Sequence, residues 1–297
     1  MATDTQQTTT RFLTFVRRSQ EVLARGEGPQ APEKAFEQFI TAAMPLVLPR
    51  LKSSLPLLVK RAELVHRWLT PHDILAVAGL AYAENPYIEL VAWLLDPQTD
   101  PLSAMRRQEV WLRVLGLEGQ IEVTNPVTPR TQFRTDDGIP DLILEYPNGV
   151  VIVEVKTFSV EHPAPSGQPQ TLAYALSVRR RLALSDDTPT HVVFLTPDGH
   201  SPQNPEAIAT TFTALVVALA MALPPEDVPP DLRWALSTVF THLLNHTFLG
   251  GVDVHALLNE VIQWSSELSH PETDVMLMVR LKRIQQATKL LLPEARS

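Results

Sequence analysis

The chain has 297 residues, 44% of them hydrophobic, with no cysteine, nine histidines and a formal charge of −8. That length and apolar content suffice to bury a sizeable core, and the lack of cysteine excludes disulfides and thiolate metal sites. No leader pattern and no apolar run of membrane-spanning length is read, so the expected address is the cytoplasm, with no membrane partner. The acidic balance is opposite to the overall basic charge of many DNA binders, so any nucleic-acid contact is expected to be a local one.

In chain order, residues from about Thr10 to Leu69 read as helices punctuated by Pro29, Pro32, Pro45, Pro49 and Pro56, and Thr70-Pro71-His72-Asp73 reads as a capped helix start. One helix is expected over Ile74 to Leu95 and a second over about Leu102 to Leu115. Ile121-Glu-Val-Thr124 reads as a strand leading through a proline-containing stretch to Phe133. Asp141 then opens the apolar run Leu142 to Tyr146, Pro147-Asn148-Gly149 supplies a turn, and Val150 to Val155 runs back, the pattern of a β-hairpin. A helix beginning near Gln168 and a strand over Val192 to Leu195 follow. Beyond Pro205 the chain reads as helical, with loops at Pro224-Pro225 and Pro229-Pro230 and a break at Gly250-Gly251. The order implies a helical region over 1–70, an α/β core over 71–200 with a mixed sheet, and a helical region over 201–297, or all three as one compact unit.

The hairpin gathers chemistry. Asp141 and Glu154 fall on neighbouring strands, and Glu154 and Lys156, two apart, share one face while Val153 and Val155 take the other. Two carboxylates open to substrate suit Mg2+, a hard cation that prefers oxygen ligands and keeps several waters, and Mn2+ is expected to substitute. The backbone carbonyl of Val155 is a candidate further ligand, and Lys156 is placed to position the attacking water or offset charge on phosphorus. Gln170 and Tyr174, at i and i+4, share a helix face and are candidates to orient metal-bound groups or the scissile phosphate.

The ordered set Ile-Pro-Asp141, Glu154-Val-Lys156 and Gln170-Thr-Leu-Ala-Tyr174 resembles the PD-(D/E)XK nuclease superfamily, and its Gln-x-x-x-Tyr element resembles the RecB-like branch. The resemblance covers roughly residues 72 to 200 and rests on the combination, because an isolated Glu-x-Lys carries little weight. It implies a restriction-endonuclease-like core of helix, three strands, helix and strand with helical N- and C-terminal flanks. It also implies catalytic roles for Asp141, Glu154, Lys156, Gln170 and Tyr174, and a metal-reaching acidic residue on the preceding helix. Glu84 is the candidate, although it precedes Asn85-Pro86 and a helix-end role stays open. His191 to Gly199 resembles the strand and turn that follow the Gln/Tyr helix. The implied activity is Mg2+-dependent hydrolysis of phosphodiester bonds, expected in DNA, in a prokaryotic defence or repair system. The alternative is a catalytically inactive nuclease-like module that binds nucleic acid or a partner protein, and the helical flanks are candidates for docking such a partner or a second copy.

Phosphate contacts are expected first at Arg179, Arg180 and Arg181, on the helix that carries Tyr174, although an arginine triplet there also complements the helix dipole. Arg106-Arg107, and Arg50-Leu-Lys52 with Lys60-Arg61, are the other basic clusters. Glu89 and Asp96 read as helix-surface and turn residues, and Glu161 and His162 as members of a solvated loop. The nine histidines are read as showing no paired ligand spacing such as His-x-x-x-His, so zinc is not expected. Replacing Asp141, Glu154 or Lys156 is expected to abolish cleavage with hardly any loss of stability.

Overall fold

Five of the six residues in Val150-Val-Ile-Val-Glu-Val155 are β-branched, the side chains that fit a pleated surface best, and the strand they form is buried along its whole length. It is the centre of a five-stranded mixed sheet. The computed structural model describes residues 54–79, 84–98, 100–157, 161–247, 253–267 and 274–291. The expected helices over Thr10 to Pro49, the cluster Arg50-Leu-Lys52 and the Gly250-Gly251 break lie outside the described residues. The chain divides into two compact units, Met1–Pro56 with Glu272–Met278, and Leu57–Pro271 with Val279–Ser297. Apart from residues 54–56 and 274–278, everything that follows belongs to the second.

The elements in chain order are α1 (54–66), α2 (Ile74–Val77), α3 (Glu84–Leu95), α4 (Pro101–Val114), β1 (Arg130–Thr131), β2 (Leu142–Tyr146), β3 (Gly149–Val155), α5 (Gln170–Arg181), β4 (Thr190–Thr196), β5 (Ile208–Thr211), α6 (Phe212–Ala222), α7 (Pro230–Thr247), α8 (Val254–Glu267) and α9 (Asp274–Leu291). The strands lie in sequence order: β1, β2 and β3 pair antiparallel, and β3, β4 and β5 pair parallel. Parallel pairing demands a crossover, which α5 provides between β3 and β4. On its side of the sheet Ile143, Val150, Ile152 and Val192 meet Tyr174 and Val178 in one buried cluster with Phe133. Val151, Val153 and Val155 point the other way and are as deeply buried, in line with α3 packing against β3. Because β3 is apolar on both faces, alternation alone does not set its register; the tight Pro147-Asn148 loop, with Tyr146 paired to Gly149, does.

A helical layer joins the sheet: α4 packs on α6, α6 and α2 on α7, and α7 on α8. Trp68, fully buried after α1, donates its indole N–H to the Leu223 carbonyl at 2.9 Å, tying that region to the end of α6. Among the described residues no helix is long and apolar enough to cross a membrane.

Three expectations about elements need correction. The single helix over Ile74 to Leu95 is two, because α2 closes on Gly79 in the left-handed region (φ +82°), where its N–H reaches the Ala76 carbonyl. Ile121 to Thr124 makes only an isolated bridge to Glu118, and the first strand is the short β1. Side chains hold this stretch where a ladder was expected: Asn148 accepts from Glu122 N–H, and fully buried Gln108 bonds the Val127 N–H and carbonyl as well as the Leu95 carbonyl. The helical reading beyond Pro205 passed over β5, whose Ala-Thr-Thr end runs straight into α6, with Thr211 as N-cap accepting from Ala214 N–H.

Candidate active site

The hairpin register carries Leu142 opposite Val153, so Asp141 falls beside the end of β3, and its Oδ2 accepts from Val155 N–H at 2.7 Å. Glu154 shares the parity of Val150 and Ile152 and therefore lies on the α5 side of the sheet, and Lys156 Nζ donates to its Oε1 at 2.5 Å. Both are interior groups, with residue exposures of 1% and 7%. A buried ion pair forfeits the hydration of two charges and does little for net stability. The expectation that replacing Glu154 or Lys156 hardly affects stability is revised on the same ground: removing one partner strands the other charge in the interior.

The first turn of α5 brings Gln170 and Tyr174 to the same place. Gln170 Nε2 donates to the Tyr174 hydroxyl at 2.7 Å, which in turn meets the Ile139 carbonyl at 3.2 Å. Burial first and the Glu154 carboxylate second push the Tyr174 hydroxyl above its usual range; Asp141 adds to this, while the Gln170 bond and Lys156 oppose it. The hydroxyl therefore stays protonated and feels both carboxylates and the ammonium at once. Gln170 Oε1 is buried with no hydrogen-bond partner. Val155 enters the cluster through its N–H; Glu84 begins α3, and its side chain lies outside the described residues.

What holds Asp141 in place is the loop before it. Ser177 reaches Thr135 Oγ1 at 3.1 Å and Arg180 reaches Asp137 Oδ2 at 2.9 Å, so Tyr174, Ser177 and Arg180, successive along one stripe of α5, clamp residues 135–139. Gly138, at φ +136°, is needed there twice over, for its backbone and because a Cβ would sit 3.1 Å from the Tyr174 ring and hydroxyl.

Glu161 is not part of a solvated loop. It is buried, Oε1 accepts from Thr171 N–H at 2.8 Å and from the Thr171 hydroxyl at 2.7 Å, and Oε2 accepts from Gln203 N–H at 2.6 Å. It thus caps the start of α5 and fastens it to the segment before β5, a positioning role that the sequence order around it does not reveal. His162 is exposed.

The arginine triplet divides three ways. Arg179 is committed to the loop after α5 through the Ser185 and Thr188 carbonyls and Thr190 Oγ1, at 2.7–2.9 Å. Arg180 clamps Asp137 as described. Arg181 is exposed and lines a cavity of about 510 Å3 together with Arg130, Arg134 and Phe133. Arg107, expected in a basic surface cluster, is fully buried and bonds the Leu94 and Asp96 carbonyls at the end of α3; burial lowers its guanidinium to about 10.

One polar cluster was missed. Asp73, His242 and His246 bring ligand atoms within 4.8 Å of one another. The reading that drew no ligand pair from the histidines overlooked His242-Leu-Leu-Asn-His246, a true i, i+4 spacing; Asp73 had been read only as part of a helix start, and it does cap α2, accepting from Ala76 N–H at 3.0 Å. No protein-family model, no curated protein and no solved structure matches the chain.

Proposed function

We propose that the chain is a divalent-metal-dependent nuclease with a restriction-endonuclease-like core of the PD-(D/E)XK type, acting on nucleic acid and foremost on DNA. The observation that carries this reading is the buried Glu154–Lys156 pair beside Asp141 at the end of β3, with Gln170 and Tyr174 turned onto it from α5. The donor set fits Mg2+, with Mn2+ as a substitute: two neighbouring carboxylates of hard oxygen, and close by the unpaired acceptor Gln170 Oε1. Asp141 and Glu154 would hold the ion, with the Val155 carbonyl and Glu84 as further candidates. When bound, the ion supplies a Lewis acid for the phosphoryl oxygen.

The chain's own groups do the rest. Lys156 offsets charge that develops on the phosphate and positions the attacking water; Glu154, by accepting from it, fixes where the ammonium points. Tyr174, kept protonated, is a hydrogen-bond donor, and Gln170 sets its rotation. Arg181 with Arg130 and Arg134 forms the local basic strip that a chain of net charge −8 needs for phosphate contact.

The test is a titration of Mg2+ and Mn2+ against linear, circular and single-stranded DNA and RNA, with the natural chain and Asp141→Asn. Metal-dependent cleavage that falls a hundredfold or more in Asp141→Asn is expected. Equal cleavage by both proteins removes the assignment, and neither cleavage nor metal uptake leaves the non-catalytic nucleic-acid or partner-binding module as the reading.

A further inference from the structure

Asp73 and the two histidines come from elements far apart in the chain, the segment before α2 and the face of α7. His242 Nδ1 lies 3.0 and 3.2 Å from the two Asp73 oxygens, and His246 Nε2 lies 2.9 Å from Asp73 Oδ2. We propose that Asp73, His242 and His246 bind one divalent ion of the zinc class, which fastens the segment before α2 to α7.

Four observations support the site. An ion held by bonds of about 2.0–2.1 Å in a tetrahedral arrangement sets its ligand atoms about 3.3 Å apart, close to the two imidazole–carboxylate separations already present. The third separation, between the two imidazoles, lies within 4.8 Å. The donors are two imidazoles and one carboxylate, a borderline set that favours zinc over the hard Mg2+ expected at an all-oxygen cluster. The carboxylate is oriented from behind by Ala76 N–H, and the His242 ring is packed against Tyr87 with centroids 5.6 Å apart, so two of the three ligands are held before any ion arrives. His242 is fully buried, whereas Asp73 and His246 keep side-chain exposures of 11% and 23%, which leaves a solvent-side position for a fourth ligand.

The cost of loading is also visible. In the ion-free state each imidazole can donate an N–H to Asp73, and an ion replaces those two protons. Ligation through Nδ1 moves the His242 proton to Nε2, which is buried without a hydrogen-bond partner. That penalty lowers affinity by roughly ten- to a hundredfold below that of a closed structural zinc site.

The experiment uses the full chain stripped with a chelator and titrated calorimetrically with Zn2+, alongside His246→Gln, Asp73→Asn and Asp141→Asn. One equivalent of Zn2+ is expected at this site in Asp141→Asn and in the natural chain, apart from any ion held at the Asp141 cluster, with its affinity weakened at least thirtyfold in His246→Gln and Asp73→Asn. Zn2+ is expected to raise the melting temperature only where it binds. No stoichiometric uptake, equal uptake by His246→Gln, or uptake lost in Asp141→Asn overturns the proposal. Should His246→Gln fail to fold, a Co2+ titration of the natural chain decides: a strong four-coordinate visible spectrum supports the site, and a weak six-coordinate one overturns it. The outcome is independent of whether the chain cleaves nucleic acid.

Discussion

The sheet-side cluster and the helix-side cluster are both built on carboxylates clasped by cationic or N–H donors, yet they are assembled in opposite ways. Asp141, Glu154, Lys156, Gln170 and Tyr174 come from one continuous stretch, positioned by a hairpin and the helix that follows it. Asp73 and His242 stand 169 residues apart and meet only because α2 packs on α7. Local geometry therefore specifies the first cluster, and global packing specifies the second. The first should be sensitive to changes of charge inside it, and the second to whatever loosens the helices.

The largest stability effect belongs to the Glu154–Lys156 pair. Lys156→Met leaves the Glu154 carboxylate buried without its ammonium and should cost about 3–5 kcal/mol, measured by urea unfolding. Adding Glu154→Gln to Lys156→Met should recover much of that loss, and a double variant no more stable than the single one would show that the pair is not the source. Next comes Glu161→Ala, which strips three donors of a buried acceptor and should cost about 2–3 kcal/mol. Because the carboxylate caps α5 outside the candidate cluster, turnover under the proposed function should fall mainly through the position of Gln170. Tyr174→Phe is smaller, about 1 kcal/mol for the bonds to Gln170 and Ile139, and under the proposed function it should slow cleavage with little change in metal affinity. A large drop in metal affinity would make the hydroxyl a ligand and not an orienting group.

The smallest effect tests the helical side. Burial, with His255 adding to it, holds the His66 imidazole below its usual value of 6.5. The unfolded chain then takes up the proton first. The stability due to neutral His66 is complete above about pH 6.5 and is lost as the pH falls from there toward the folded value. Unfolding midpoints at pH 7.5 and 5.5 should differ less in His66→Gln than in the natural chain, and an unchanged difference would place the acid sensitivity elsewhere, for example at half-buried His191, whose imidazole burial also lowers.

The hairpin and α5 were legible because their signals are short-range: a β-branched run, a turn two residues long, and an i, i+4 pair. The split between α2 and α3 hangs on one glycine, and the stretch after Ile121 is held by Gln108 and Asn148 side chains, for which no periodicity exists to be read. Arg179, Arg180 and Arg181 show the limit most plainly. As neighbours in sequence they look like one basic patch, but at 100° per residue around a helix they reach a loop carbonyl set, an aspartate and open solvent.

By itself, the sequence determined that an α/β core exists and that its hairpin aligns two carboxylates and a lysine, because alternation along a strand is a property of the backbone. The tertiary structure alone decided that Glu154 and Lys156 are buried as a pair, that Glu161 and Arg107 are interior fasteners, and that Asp73 meets His242 and His246. Those outcomes depend on which surfaces exclude water, and burial is a property of the packed molecule that no local spacing encodes.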